Sequence, residues 1–269
     1  MQSHQISICS WSLRPRNPEM LVSDLQKCAI TRVQLALVPL AEDESWSHCK
    51  QMLLDAGITI VSGMFEPAGE DYTSLETIAK TGGVRQDATW FETLGRVKAS
   101  AGIASDLGLS LVTFHAGFLP HAVSEERTKM LDRLVQIADI FASNKIAIAF
   151  ETGQESAEVL LGVLEEMSHP NIGVNFDPAN MILYGQGDPV TAINQLTPWV
   201  RQVHIKDAIA TEVEGTWGTE VVVGNGDVVW DAFIPVIPSG VNLVIEREAG
   251  ENRVKDIQRA ITFLKGKGC

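Results

Sequence analysis

The chain is short of positive charge. Its 269 residues include 21 Lys and Arg against 34 Asp and Glu, for a formal net charge of -13. Nucleic acids and anionic membranes are held by basic patches, so this balance weighs against both as partners, whereas an acidic cleft suits a bound cation. Cysteine is scarce as well. Cys9, Cys28, Cys49 and Cys269 form no C-x-x-C pair. A chain this long needs no disulfide staples, so reduced thiols in a cytosol are expected. No apolar run approaches the roughly 18 residues of a membrane span. The N-terminus, MQSHQISICSWSLRPRN, lacks the basic flank and apolar stretch of a signal peptide. No Pro-, Gly- or Ser-rich linker and no low-complexity segment divides the chain. These absences predict a cytoplasmic protein folded as one domain over residues 1–269.

What is present is a rhythm. Strand-length apolar runs begin with ISIC near residue 6, RVQLAL near 32, ITIVSG near 58 and LSLVTF near 109. They continue with IAIAFE near 146, IGVNFD near 172, RQVHIK near 201 and NLVIER near 242. Amphipathic segments such as PEMLVSDLQKCA, TKMLDRLVQIADIFAS and AEVLLGVLEEMS separate them, and ENRVKDIQRAITFLKG closes the chain. Eight strands alternating with helices predict an α/β fold, a single (β/α)8 TIM barrel, which commonly takes about 250 residues. Two connections, about 66–91 and 208–229, are longer than the others and are candidates for lids or binding loops.

Four runs end in a group able to bind metal: Glu151, Asp177, His204 and Glu246. The residue before each is Phe150, Phe176, Val203 or Ile245. Because strand side chains alternate between faces, the apolar neighbour points one way and the ligand the other. On the fifth strand Ala147 and Ala149 share the face of Glu151, and on the sixth Gly173 and Asn175 share that of Asp177. These small and polar residues suit a barrel axis, with Ile146, Ile148, Phe150, Val174 and Phe176 directed at helices. Glu151 to Asp177 spans 26 residues and Asp177 to His204 spans 27, close to the roughly 31 residues of one βα unit. The four groups therefore end strands five to eight on the C-terminal face, where such barrels do chemistry. One such acid alone is as well explained as a helix cap or a surface ion pair. Four sharing one sidedness point to a common centre.

Three carboxylates and one imidazole form a hard, oxygen-rich set, best suited to one divalent ion, Mn²⁺ or Mg²⁺, with Co²⁺ or Zn²⁺ as alternatives. Such an ion could bind a ketose carbonyl and its neighbouring hydroxyl and stabilise an enediolate. Glu151 and Glu246, well apart around the ring, are the natural acid–base pair on either side of the substrate.

With these residues in place, the chain resembles the xylose-isomerase-like barrel superfamily, in its sugar phosphate isomerase/epimerase branch. The likeness is sharpest over 148–248 and extends to HIKD (204–207), GNGDVVW (224–230) and LVTFHAG (111–117). It implies metal binding by Glu151, Asp177, His204 and Glu246, proton transfer by Glu151 and Glu246, a small-molecule sugar or sugar phosphate as partner, and a homodimer or homotetramer. It also has departures. Asn180 stands where ketose 3-epimerases of free sugars carry His, and Ala210 where they carry Arg, so sugar binding differs in detail. An inosose-type dehydratase on the same site is the alternative, since it begins with the same proton abstraction. A nuclease of the endonuclease IV type would need more histidines and a basic groove. A non-catalytic sugar-binding barrel would have no need of all four ligands.

Other residues carry paired readings. His115, ending the fourth strand, could meet substrate or be a satisfied structural histidine. Lys206, sharing the inward parity of His204, could bind a substrate oxygen or only neutralise nearby acids. Asn180 could reach a substrate hydroxyl or stabilise the turn after Pro178. Trp11 could stack on a sugar face or be a buried rim aromatic. Glu248 shares the parity of Glu246 but could be solvated, and Arg247 reads as a packing or ion-pair residue. Arg14 and Arg16 read as solvent-facing, and GNG (224–226) as a turn. His4, His48, His121 and His169 have no partners that can be named.

Overall fold

The computed structural model describes residues 5–213 and 215–269; His4 and Glu214 lie outside them. Seven of the expected strands are β1 (Ile6–Cys9), β2 (Arg32–Ala36), β3 (Thr59–Met64), β4 (Leu111–Phe114), β5 (Ala147–Glu151), β6 (Ile172–Phe176) and β7 (Val200–Ile205). The connection after β7 holds a hairpin that the periodicity did not predict, β8 (Asp207–Ile209) paired antiparallel with β9 (Thr219–Val221). The eighth barrel strand is therefore β10 (Asn242–Ile245). The barrel is closed in the order β1-β10-β7-β6-β5-β4-β3-β2, and its neighbours pair in parallel. This is a (β/α)8 TIM barrel.

The helices start where the sequence offers caps. Asn17 accepts from Met20 N at 2.9 Å, with Pro18 opening helix Pro18–Lys27. Ser124 accepts from Arg127 N at the head of Glu125–Ser143, and Ser156 from Val159 N at the head of Ala157–Met167. Each cap satisfies one of the amide donors a helix leaves free at its first turn. The first long connection carries a short helix, Leu75–Thr81, closed by a reciprocal Ser74–Thr77 capping box. Among the described residues, no helix is long and apolar enough to cross a membrane.

Strand alternation sorts the packing as expected. Ile148, Phe150, Val174 and Phe176 are fully buried outside the barrel wall, where Phe114 meets Phe150 edge-on and Phe176 lies against Phe233. The inward face carries a polar layer instead. Gln34 Nε2 donates to Thr113 Oγ1 at 2.8 Å. Gln202 Nε2 donates to Gln34 Oε1 at 3.0 Å and to Asn175 Oδ1 at 3.2 Å, and Ser62 Oγ donates to Gln202 Oε1 at 2.7 Å. Buried amides are tolerated when their donors and acceptors are mutually satisfied. The layer forms a fixed floor beneath the barrel mouth.

Candidate metal centre

The four residues sit at the C-terminal mouth. Glu151 ends β5, Asp177 follows β6, His204 is the penultimate residue of β7 and Glu246 follows β10. Each offers one ligand atom, and these atoms all lie within 4.8 Å of one another. All four residues are buried, Asp177 and His204 completely.

The polar layer settles the state of His204. Gln34 Nε2 is committed to Thr113, so its Oε1 faces the ring, 2.8 Å from His204 Nε2. That contact places a proton on Nε2 and turns Nδ1 toward the carboxylates. Nδ1 is buried and has no hydrogen-bond partner. It lies 3.3 Å from Glu151 Oε1, 3.5 Å from Glu246 Oε2 and 3.8 Å from Asp177 Oδ2. Burial opposes a charge on the ring, but the Glu151 and Glu246 carboxylates outweigh it and hold the imidazole protonated well above its usual range; a cation seated among the same oxygens would take that proton's place.

Asp177 shows the same division within one side chain. Its Oδ1 caps helix Pro178–Leu183, accepting from Ala179 N at 2.8 Å and Asn180 N at 3.0 Å. Its Oδ2 is buried without a partner and faces the cluster. The helix-cap reading and the ligand reading each describe one of its oxygens. Two orphaned donor atoms in a hard donor set fit a divalent ion, which Glu151, Asp177, His204 and Glu246 would hold.

The glutamates are aimed by their neighbours. Glu246 accepts from Trp11 Nε1 at 2.8 Å and from Lys206 Nζ at 2.9 Å. Burial pushes its carboxyl up, but Lys206 and His204 outweigh this and hold it well below the usual carboxylate range. Glu151 accepts from Asn180 Nδ2 at 3.0 Å and Asn175 Nδ2 at 3.2 Å. Burial raises its carboxyl, while His204 and His115 bring it below its ordinary value. At Asp177 burial prevails over Lys206 and the carboxyl is raised.

The residues with two readings resolve individually. Buried Lys206 donates to Asn180 Oδ1 at 3.3 Å, Glu246 at 2.9 Å and Glu248 at 2.5 Å. Burial opposes its charge, and Glu246, Glu248 and Asp177 more than restore it. Asn180 bridges Glu151 and Lys206 rather than serving the turn after Pro178. His115 Nε2 lies 3.9 Å from Glu151 Oε2, and its buried Nδ1 has no partner. Burial disfavours its charge, which Glu151 and Glu70 reverse. Trp11 is half-buried, with its ring 6.2 Å from that of His204. Glu248, half-exposed, is paired with Lys206 rather than only solvated. Arg247 pairs with Glu220 and Asp256. Arg14, bridged to Glu251, and Arg16 are exposed, as are His48 and His121. His169 is held by Asp139.

The sequence reading missed several residues here. Gln34 orients His204 from a strand 170 positions away. Cys9 Sγ lies 3.7 Å from His204 Nε2, and burial pushes its thiol far above the ordinary value, so it stays neutral. Asp207, noted only within HIKD, is fully buried and accepts from Gly224 N, Gly226 N, Trp230 Nε1, Ala208 N and Val228 N at 2.8–3.3 Å. A Cβ at Gly226 would come within 2.2 Å of Asp207 Oδ1, so the turn needs glycine there. Asp207 has the outward parity of Val203 and Ile205, and an acid on that apolar side was the available signal.

Above the cluster opens a cavity of about 720 Å³, lined by Trp11, His115, Asn180 and Lys206 together with residues from both long connections.

Comparison with known proteins agrees with this architecture. The sequence pattern of the family described as Xylose isomerase-like TIM barrel matches residues 26–267. A 3-dehydroshikimate dehydratase of Bacillus anthracis is 27% identical over 124 residues, 45% of this chain and 39% of that protein. The chain thus aligns with well under half the length of that relative. The crystal structure of a xylose isomerase domain protein from Planctomyces limnophilus has a TM-score of 0.89 at 29% identity, covering 98% of this chain and 97% of that one. An L-ribulose 3-epimerase shares the fold at TM-score 0.72 and 13% identity, covering 98% of this chain and 94% of that one.

Proposed function

The chain belongs to the xylose isomerase-like TIM barrel family, and from that premise we propose that it is a divalent-metal-dependent isomerase or epimerase of ketoses or related polyol ketones, with Glu151 and Glu246 as its acid–base pair. The observation that carries this reading is the cluster itself. Four buried ligand atoms from four strands converge within 4.8 Å, two of them orphaned, beside a cavity lined by their hydrogen-bond partners Trp11, Asn180 and Lys206.

A bound divalent ion would supply positive charge to the substrate oxygens on which negative charge grows as a carbon-bound proton leaves. The chain's own residues do the rest. One glutamate takes the proton from the carbon beside the carbonyl, and the other delivers a proton to the opposite face or the adjacent carbon. Lys206 and the Trp11 indole hold the Glu246 carboxylate in one orientation, and Asn175 and Asn180 do so for Glu151. Fixed orientation removes part of the entropic cost of reaching the reacting geometry. His115, beside Glu151 and lining the cavity, is placed to exchange that proton with solvent or to meet a substrate hydroxyl.

Dehydration is a second reading, favoured by the partial match to the Bacillus anthracis dehydratase. It starts with the same proton removal, after which a β-hydroxyl departs with the electron pair.

The test is solvent exchange. Protein loaded with Mn²⁺ is incubated in D₂O with a panel of ketoses, ketose phosphates and inososes, and followed by NMR. Deuterium should enter at a carbon next to the carbonyl, and chelation should stop it. New alkene signals would select the dehydratase. A protein that binds no divalent ion, or that binds one ion per chain yet labels nothing in the panel, would end the proposal.

A further inference from the structure

The geometry points to an uncharged substrate: the cavity over the metal centre is built to take a neutral polyol ketone and to turn away its phosphate ester. This deepens the proposed function and rests on it.

Barrels of this architecture commonly hold phosphate in the loops after the seventh and eighth strands, with backbone N–H groups turned toward the anion. Both loops have such groups here, and both are already taken by the protein's own carboxylates. After β7, the N–H groups of Gly224 and Gly226 donate to Asp207 Oδ2 at 2.8 and 3.1 Å, and the Trp230 indole adds a third donor at 2.9 Å. Asp207 is fully buried, and the tight Gly226 contact leaves no room for another anion. After β10, the N–H groups of Glu248 and Ala249 donate to the Glu220 carboxylate at 2.9–3.1 Å, and Arg247 Nη1 closes on it at 2.8 Å. An incoming phosphate would have to displace a hydrogen-bonded internal anion at either place.

The cavity wall adds only two basic side chains, His115 and Lys206, and the charge of His115 is already matched by Glu151 and Glu70. Its carboxylates are Glu66, Glu70, Glu220 and Glu248, above the three carboxylates of the metal cluster. Among the described lining residues Lys206 is the only Lys or Arg. Its three N–H donors are spent on Asn180, Glu246 and Glu248. With Arg247 assigned to Glu220 and a divalent ion assigned to the cluster, carboxylates still outnumber cations. A dianionic phosphate would meet like charge in a partly desolvated space. Trp11, Tyr72, Tyr184 and Trp217 provide apolar faces instead. Such faces, with a few polar groups among them, suit the C–H and hydroxyl surfaces of a neutral polyol.

Matched pairs test this: D-fructose against D-fructose 6-phosphate, and D-xylulose against D-xylulose 5-phosphate, each scored by kcat/KM for solvent deuterium uptake with the Mn²⁺-loaded protein. The neutral member should lead by about 10²-fold, the scale of a few kcal/mol of like-charge repulsion. Equal rates, or a lead for the ester, would overturn the inference while leaving the metal chemistry standing. Inorganic phosphate gives a readout independent of turnover. The tryptophan fluorescence should not respond to millimolar phosphate, and saturable quenching that competes with a ketose would also overturn it. If these pairs are silent, the same comparison is made on whichever ketone of the wider panel exchanges; if nothing in that panel exchanges although one ion is bound per chain, the proposed proton transfer falls and this inference with it.

Discussion

Asp177 and Asp207 are both fully buried aspartates at the mouth of the barrel, and they are wired in opposite ways. Asp207 accepts five hydrogen bonds shared over both oxygens. Asp177 accepts two, both at Oδ1, and leaves Oδ2 with none. A carboxylate surrounded by oriented N–H groups has replaced its hydration shell and contributes to structure. A buried oxygen with nothing opposite it is costly in the metal-free fold, and that cost is relieved by a cation. Burial and residue type are the same at the two positions. What separates scaffold from site is where the hydrogen bonds stop.

The sharpest test of the open side concerns the glutamates. Glu151→Gln and Glu246→Gln each remove a carboxylate assigned to proton transfer, and exchange should fall by roughly 10³-fold or more. Circular dichroism should show the fold intact, and near wild-type rates would break the assignment. Next come the two aspartates themselves. Asp177→Asn should strip the protein of its divalent ion in elemental analysis while costing the metal-free fold little, because the amide oxygen can still cap the helix. Asp207→Asn should do the reverse, keeping the ion but losing roughly 3 kcal/mol in urea unfolding, since an amide N–H₂ is forced against N–H donors. The same phenotype from both variants would erase the distinction.

Glu155 sharpens the comparison from a third direction. It is buried and accepts one hydrogen bond, from Leu119 N. Burial pushes its carboxyl up to about 8 from an ordinary 4.5, against the pull of that N–H and of Arg85 and His115. Below the ordinary value both folded and unfolded chains keep the proton, and Glu155 has no effect on pH dependence. As pH rises from there toward 8, the unfolded chain releases the proton first, so the folded state loses stability. Above 8 the penalty is constant. Glu155→Gln should therefore be neutral near the acid end and raise both stability and Tm increasingly up to pH 8, the stability by up to a few kcal/mol. A Tm difference independent of pH would contradict this. The smallest effect is expected at Gln34. Gln34→Leu removes the acceptor that holds the His204 proton on Nε2, and metal affinity should weaken by about 10–100-fold, measured by competition with a chelator.

Much of this molecule is legible in its sequence where the signal is local. The parity of Glu151 against Phe150, or of His204 against Val203, follows from strand geometry alone, so the shared centre could be located before any fold was known. Asn175 could likewise be placed facing inward. Gln34 could not be tied to His204, because the two meet only when β2 and β7 are brought around the barrel. The β8–β9 hairpin was missed because two strands of three residues carry too little periodicity to register. For Asn180 the sequence offers a substrate hydroxyl or the turn after Pro178, and the packed mouth adds two partners distant along the chain, Glu151 and Lys206. The Cβ of Asn180 lies where Gly153, at a φ of +132°, leaves room, a close approach that only the packed mouth reveals.

The strand–helix alternation, the inward side of each strand and the set of side chains delivered to the C-terminal rim can be read from the order of residues, since each is a consequence of bonds and dihedrals within a few positions. Which of those side chains stay unsatisfied is set by the closed and packed barrel. Hydrogen bonding is a pairing between groups distant along the chain, and no residue carries in its own neighbourhood the information that its partner is absent.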